Sequence, residues 1–124
     1  MILGEIQNGT IDRVDVRIIP EDINTFMSIS PQVMEFLTAE YSIKLSKENV
    51  PQLLASITAL KPKQEQNRAD LRWGFWFLDR SGKRLHSIFI DGEHWYAKRR
   101  RGYIDGNYCN LSSALIHWVH KRNM

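Results

Sequence analysis

The chain has 124 residues, 43% hydrophobic and 25% charged, with a formal net charge of +3. That size and composition fit one globular domain of residues 1–124 and exclude disordered, collagen-like and coiled-coil classes. The sequence has no apolar run near the roughly 18 residues a membrane-spanning helix requires. Met1–Ile6 carries Glu5 and no basic lead, so it does not read as a secretory signal. A single cysteine, Cys109, has no internal partner and fits a reducing, cytoplasmic setting.

In chain order, Ile2–Ile6 reads as extended, leading to an Asn8-Gly9 hairpin turn. Val14, Val16 and Ile18 alternate with Arg13, Asp15 and Arg17, the period of a half-buried strand that Pro20 ends. Glu21-Asp22-Ile23 opens a short turn. Ser30-Pro31 starts a helix whose apolar face is Val33, Phe36, Leu37 and Tyr41. A second helix starts at Asn49, with Pro51 in its first turn and a stripe of Val50, Leu53, Leu54, Ile57 and Leu60. Pro62 follows its end, and residues 61–70 read as a polar surface loop.

The remainder reads mainly as sheet. Leu71, Trp73, Phe75 and Phe77 lie on one face of a strand, and Arg72, Gly74, Trp76 and Leu78 on the other. Both faces are largely apolar, which predicts a central strand. Asp79–Lys83 is a turn around Gly82, and residues 84–90 return. Asp105-Gly106 marks a second tight turn. Asn110 or Ser112 caps a last helix bearing Leu111, Leu115, Trp118 and Val119. The expected fold is α+β: an antiparallel β-sheet with two or three helices packed on one face.

Charge is unevenly distributed. Residues 1–60 carry four basic and eight acidic side chains, and residues 61–124 carry 13 and 6. The split offers two candidate partner surfaces. One is acidic, with Glu21, Asp22, Glu35 and Glu40. The other is the loop Glu93, His94, Trp95, Tyr96, Arg99, Arg100 and Arg101, where Lys98–Arg101 are four consecutive cations among Trp95, Tyr96 and Tyr103. Arginines beside aromatics suit nucleic acid, where guanidinium groups bind phosphate and rings stack on bases. They equally suit a protein interface, whose hot spots are enriched in Trp, Tyr and Arg.

Catalytic patterns are weak. His86, His94, His117 and His120 are the available bases or ligands, and His117 and His120 share a helix face. Their spacing, with Cys109 alone, matches no zinc signature, so no metal or other cofactor is expected. Asp91 and Glu93 flank Gly92 beside His94, a pattern that reads as a strand-end turn. Glycine-rich phosphate loops and nucleophile elbows are absent from the sequence. The expectation is a non-enzyme.

Two segments carry a resemblance. Trp73–Asp79, Ser81-Gly82-Lys83 and His86–Asp91 form one, and Gly102–Gly106 with Leu111–Val119 the other. Over residues 70–124 the pattern resembles small bacterial immunity proteins of contact-dependent growth inhibition and related polymorphic-toxin systems. The resemblance implies a role, binding a cognate toxin domain and blocking its active site or substrate access. It transfers no individual binding residues. Cationic nuclease toxins would be met by the acidic surface, whereas contact through the basic loop implies an acidic toxin surface or cleft. The alternative is a small RNA-binding protein or ribonuclease using 93–103, with His86 or His94 as acid or base.

Overall fold

The computed structural model describes residues 2–19, 31–35, 39–58, 61–62, 71–91, 99–112 and 114–123. The elements are α1 (Ile2–Gln7), β1 (Arg13–Ile18), α2 (Pro31–Met34), β2 (Tyr41–Lys44), α3 (Val50–Thr58), β3 (Lys61–Pro62), β4 (Leu71–Leu78), β5 (Arg84–Asp91), β6 (Arg99–Ile104), β7 (Asn107–Ser112) and α4 (Ala114–Asn123). The strands form one seven-stranded sheet in the order β2-β1-β4-β5-β6-β7-β3. Every neighbouring pair is antiparallel. The architecture is α+β, as the alternating patterns predict.

β4 is flanked by β1 and β5, and all eight of its residues are buried. Its two faces feed two separate cores, because successive side chains leave a strand on opposite sides. Trp73, Phe75 and Phe77 join Val14, Val16, Ile88 and Ile90 in the larger one. Ile6 of α1, Leu53 and Ile57 of α3, and Leu115, Trp118 and Val119 of α4 complete it. The smaller core is Met34 of α2 with Leu71, Trp76, Leu78 and Phe89. Three helices therefore share one face of the sheet, and α2 reaches the other.

Four local expectations are corrected. Residues 2–7 are helical rather than extended: Ile2, Leu3 and Ile6 have helix spacing, and all pack on the main core. Gly9, at φ 84°, is the left-handed residue following that helix, not half of a hairpin turn. The Asn8 side chain accepts from the Thr10 N–H and hydroxyl at 2.9 and 2.6 Å. The Ser30-Pro31 helix is only four residues long, and Tyr41 belongs to edge strand β2, paired with β1. Val33, expected on the apolar face, is exposed. Phe36 and Leu37 lie outside the described residues.

The third correction is Leu71, which packs with Trp76 rather than with Trp73. A register shift between Leu71 and Trp73 reverses its face. The fourth concerns the last helix. It starts at Ala114, and Asn110, Leu111 and Ser112 lie in β7.

Both predicted tight turns are present. Asp79 Oδ1 accepts from the N–H groups of Ser81 and Lys83, each at 2.9 Å, and Gly82 has φ 87°. Asp105 (φ 49°) and Gly106 (φ 83°) are both left-handed, the type I′ geometry that matches strand twist. Before α3, Asn49 Oδ1 accepts from Ser46 N–H at 2.8 Å while its Nδ2 donates to the Lys44 carbonyl at 3.1 Å. No helix among the described residues is long and apolar enough to cross a membrane.

Candidate functional site

The face of the sheet opposite α1, α3 and α4 carries the most distinctive chemistry. Trp76 lies at its centre, on β4. Gly74, two residues earlier, makes room for the indole: a Cβ there would collide with the Trp76 ring and sit 3.1 Å from Met34 Cε. Phe89 meets the indole edge-on, with centroids 5.3 Å apart at 86°. The Arg17 guanidinium lies over the indole at 3.9 Å from its centroid, and that of Arg84 at 5.5 Å. Register explains the pairing of these cations with one ring. Arg17 is opposite Gly74 on β1 and Arg84 is opposite Leu78 on β5, one on each side of Trp76 along the sheet. Tyr103 of β6 packs against the same cluster.

The charges here are unequal. Glu35 Oε1 meets Arg84 Nη1 at 2.5 Å, and both side chains are about 40% exposed. Arg17 has a buried Nε with no hydrogen-bond partner. Asp15, opposite Trp76 on β1, accepts from the Ser42 hydroxyl at 2.7 Å.

A second polar cluster lies on the helical face. His86 is held between two carboxylates: Nδ1 is 2.6 Å from Asp105 Oδ2 and Nε2 is 3.1 Å from Glu5 Oε2. Ionised carboxylates only accept, so the two contacts are both hydrogen bonds when both ring nitrogens carry protons, and the clasp favours the imidazolium. Burial pushes its pKa down, but the hydrogen bonds it donates to Asp105 and Glu5 outweigh this and raise it above 6.5. The same bond to His86 lowers the pKa of Glu5. Asp105 also accepts from Ser87 N–H through Oδ1 at 2.9 Å. The cluster ties α1 to β5 and to the β6–β7 turn. In this geometry both ring nitrogens of His86 are engaged by carboxylates.

An open groove of about 380 Å³ runs between α3 and α4, lined by Gln52, Ser56, His117, Trp118 and Lys121 among others. His117 lines this groove. Among the described residues no set of three His, Cys, Asp or Glu side chains is arranged to hold a metal ion.

The predicted basic surface is corrected in part. Arg99, Arg100 and Arg101 are not in a loop but in β6, paired with Ser112, Leu111 and Asn110 of β7. The two-residue Asp105-Gly106 turn sets a one-to-one register, and the ladder continues back to Arg99. Glu93, His94, Trp95 and Tyr96 lie outside the described residues. Of the acidic set, Glu35 is paired with Arg84, and Glu40 is exposed beside β2. Glu21 and Asp22 lie outside the described residues.

The even face of β4 reads from the sequence as core, and Trp76 is buried there; no function attached to Arg17 or Arg84. The available signal was alternation: Arg17 on the charged face of β1 and Trp76 on the even face of β4 become neighbours once β1 pairs with β4. Comparison of the chain with protein-family models, curated proteins and solved structures finds no match.

Proposed function

We propose that the chain is a non-enzymatic, cytoplasmic binding protein of the immunity type, which neutralises a toxin domain by blocking its active site or substrate access. The observation that carries this reading is the Arg17–Trp76–Arg84 cluster on the sheet face away from the three core helices. Tryptophan, tyrosine and arginine are the residue types that dominate protein-interface hot spots. Here Trp76 is itself buried, 4% exposed, and Tyr103, Arg17 and Arg84 are held around it on strands of one sheet. A rigid display loses little conformational freedom on binding, which favours tight inhibition. Arg99–Arg101 extend β6 beyond Tyr103 and would add electrostatic steering toward an acidic toxin surface.

The test is co-expression with the product of the neighbouring open reading frame. A stoichiometric complex and cell survival are expected, and Arg84→Glu should weaken both. Salt-sensitive retention on RNA, lost in Arg99/Arg100/Arg101→Ala, with no toxin complex, would replace this reading by an RNA-binding one.

A further inference from the structure

We infer that Arg13 and Lys44, facing each other across β1 and β2, form a docking pair for the carboxylates of an acidic protein segment. The inference rests on the protein-binding reading above and names the charge its partner presents there.

Register makes the two cations immediate neighbours, since Arg13 is opposite Lys44. The Leu45 N–H donates to the Asp12 carbonyl at 2.8 Å, which makes 12 and 45 a hydrogen-bonded pair and 13 and 44 the non-hydrogen-bonded pair beside it. Side chains approach most closely across such pairs, with Cβ atoms about 4.5–5.5 Å apart. The next pair of the same kind, Asp15 and Ser42, shows the contact directly: the hydroxyl donates to the carboxylate at 2.7 Å. Like charges placed directly opposite destabilise a sheet. Arg13 and Lys44 are both exposed, and among the described residues neither has an ion-pair partner. The carboxylate nearest along β1, Asp15, is engaged by Ser42 instead. A local rule broken without compensation inside the fold marks a functional position.

The pair lies on the face of the candidate interface. Val14 and Val16 point into the main core, so Arg13 leaves β1 on the opposite side, toward the Trp76 face. One register row crosses four strands as Lys44, Arg13, Leu78 and Arg84. Arg84 is held by Glu35, so the uncompensated charge of the row is at Arg13 and Lys44, on the β2 margin of the sheet. Carboxylates from outside would relieve the repulsion that no internal carboxylate relieves. An acidic protein segment suits the place better than a nucleic acid. Trp76 and Phe89 are buried on this face, so their rings offer no stacking surface to bases and only phosphate contacts would be gained.

The experiment uses the full chain, with an acetylated octaglutamate peptide as probe and an RNA octamer as comparator at the same low salt. In NMR titration the peptide is expected to shift the Arg13 and Lys44 signals saturably, and more than those of Lys121, an exposed cation on α4. Lys44→Gln should weaken peptide binding about two- to fivefold, the worth of one exposed ion pair, without lowering the melting temperature. Lys44→Glu should weaken binding further while raising the melting temperature by about 1–5 °C, because it turns a like-charge pair into an opposite-charge one. Arg13 and Lys44 signals that move no more than Lys121, unchanged affinity in Lys44→Glu, or a melting temperature lowered in Lys44→Gln would each overturn the inference. RNA shifting the same two residues as tightly as the peptide would overturn the choice of a protein partner. A complex with the product of the neighbouring open reading frame that is indifferent to Lys44→Glu sinks the docking pair alone. Peptide binding at the pair without any such complex supports the pair and sinks the immunity reading alone.

Discussion

Gly74→Ala is a one-carbon perturbation of the Trp76 cluster. Gly74 is on a central strand without positive φ, so alanine suits its backbone. In the absence of a collision, restricting the unfolded chain would stabilise the protein by about 0.4–1 kcal/mol. The new methyl, however, collides with the Trp76 ring and lies 3.1 Å from Met34 Cε. The ring has little room to retreat, with Phe89 at 5.3 Å edge-on and Arg17 at 3.9 Å over its face. Overpacking of this kind costs about 1–3 kcal/mol. Displacing the indole also forfeits about 0.5–2 kcal/mol of the cation–π contact. The net loss is then about 1–4 kcal/mol, or roughly 4–16 °C in melting temperature for a chain of this size. Thermal unfolding followed by circular dichroism measures it. A melting temperature equal to or above the parent's would refute the packing argument. In a Trp76→Leu background the same substitution should become neutral or stabilising, and an undiminished cost there would mean that Trp76 is not the obstacle.

Other outcomes follow from the same geometry. His86 has a folded pKa raised above 6.5, so its contribution is complete below 6.5 and lost as pH rises through the folded value. Glu5 has a folded pKa lowered below 4.5, so its contribution is complete above 4.5 and lost as pH falls through the folded value. The clasp is therefore strongest between 4.5 and 6.5, and the melting temperatures of parent and His86→Asn should converge at pH 9; parallel curves would contradict the clasp. Asn49→Ala leaves the Ser46 N–H and the Lys44 carbonyl unpaired and should cost about 1–3 kcal/mol in urea unfolding. Leu53→Ala, at a fully buried position of α3, should cost about 2–5 kcal/mol in the same assay. Gly106→Ala places a Cβ at φ 83° and should cost about 1–2 kcal/mol, with the β6–β7 amides losing hydrogen-exchange protection first.

The central sheet was legible because its signals are local. Period-two alternation in Val14–Ile18, the apolar run Leu71–Leu78, and the glycines at 82 and 106 each act within a few residues. Where two structures share a local signal, tertiary context decides. Ile2, Leu3 and Ile6 suit either period, and Asn8-Gly9 serves a helix end as well as a hairpin; packing on the main core selects the helix. Tyr41 has helix spacing from Leu37, but the open edge of β1 claims Tyr41–Lys44 for four ladder pairs. The reversal of Leu71 comes from a bulge that leaves no pattern in the sequence. The polar clusters were not legible for a different reason. Glu5 and His86 are 81 residues apart, and Arg84 and Glu35 are 49 apart. Only strand order and register bring them together. Arg99–Arg101 were visible as a charge run, whereas their place in a paired strand depends on the hairpin that follows them.

The most direct test of the account is size-exclusion chromatography of the chain co-expressed with the product of the neighbouring open reading frame. The account predicts one co-eluting complex of fixed stoichiometry, weakened by Arg84→Glu and retained in His86→Asn at pH 6. Separate elution of the two proteins, with cells killed whether or not the chain is present, would contradict it.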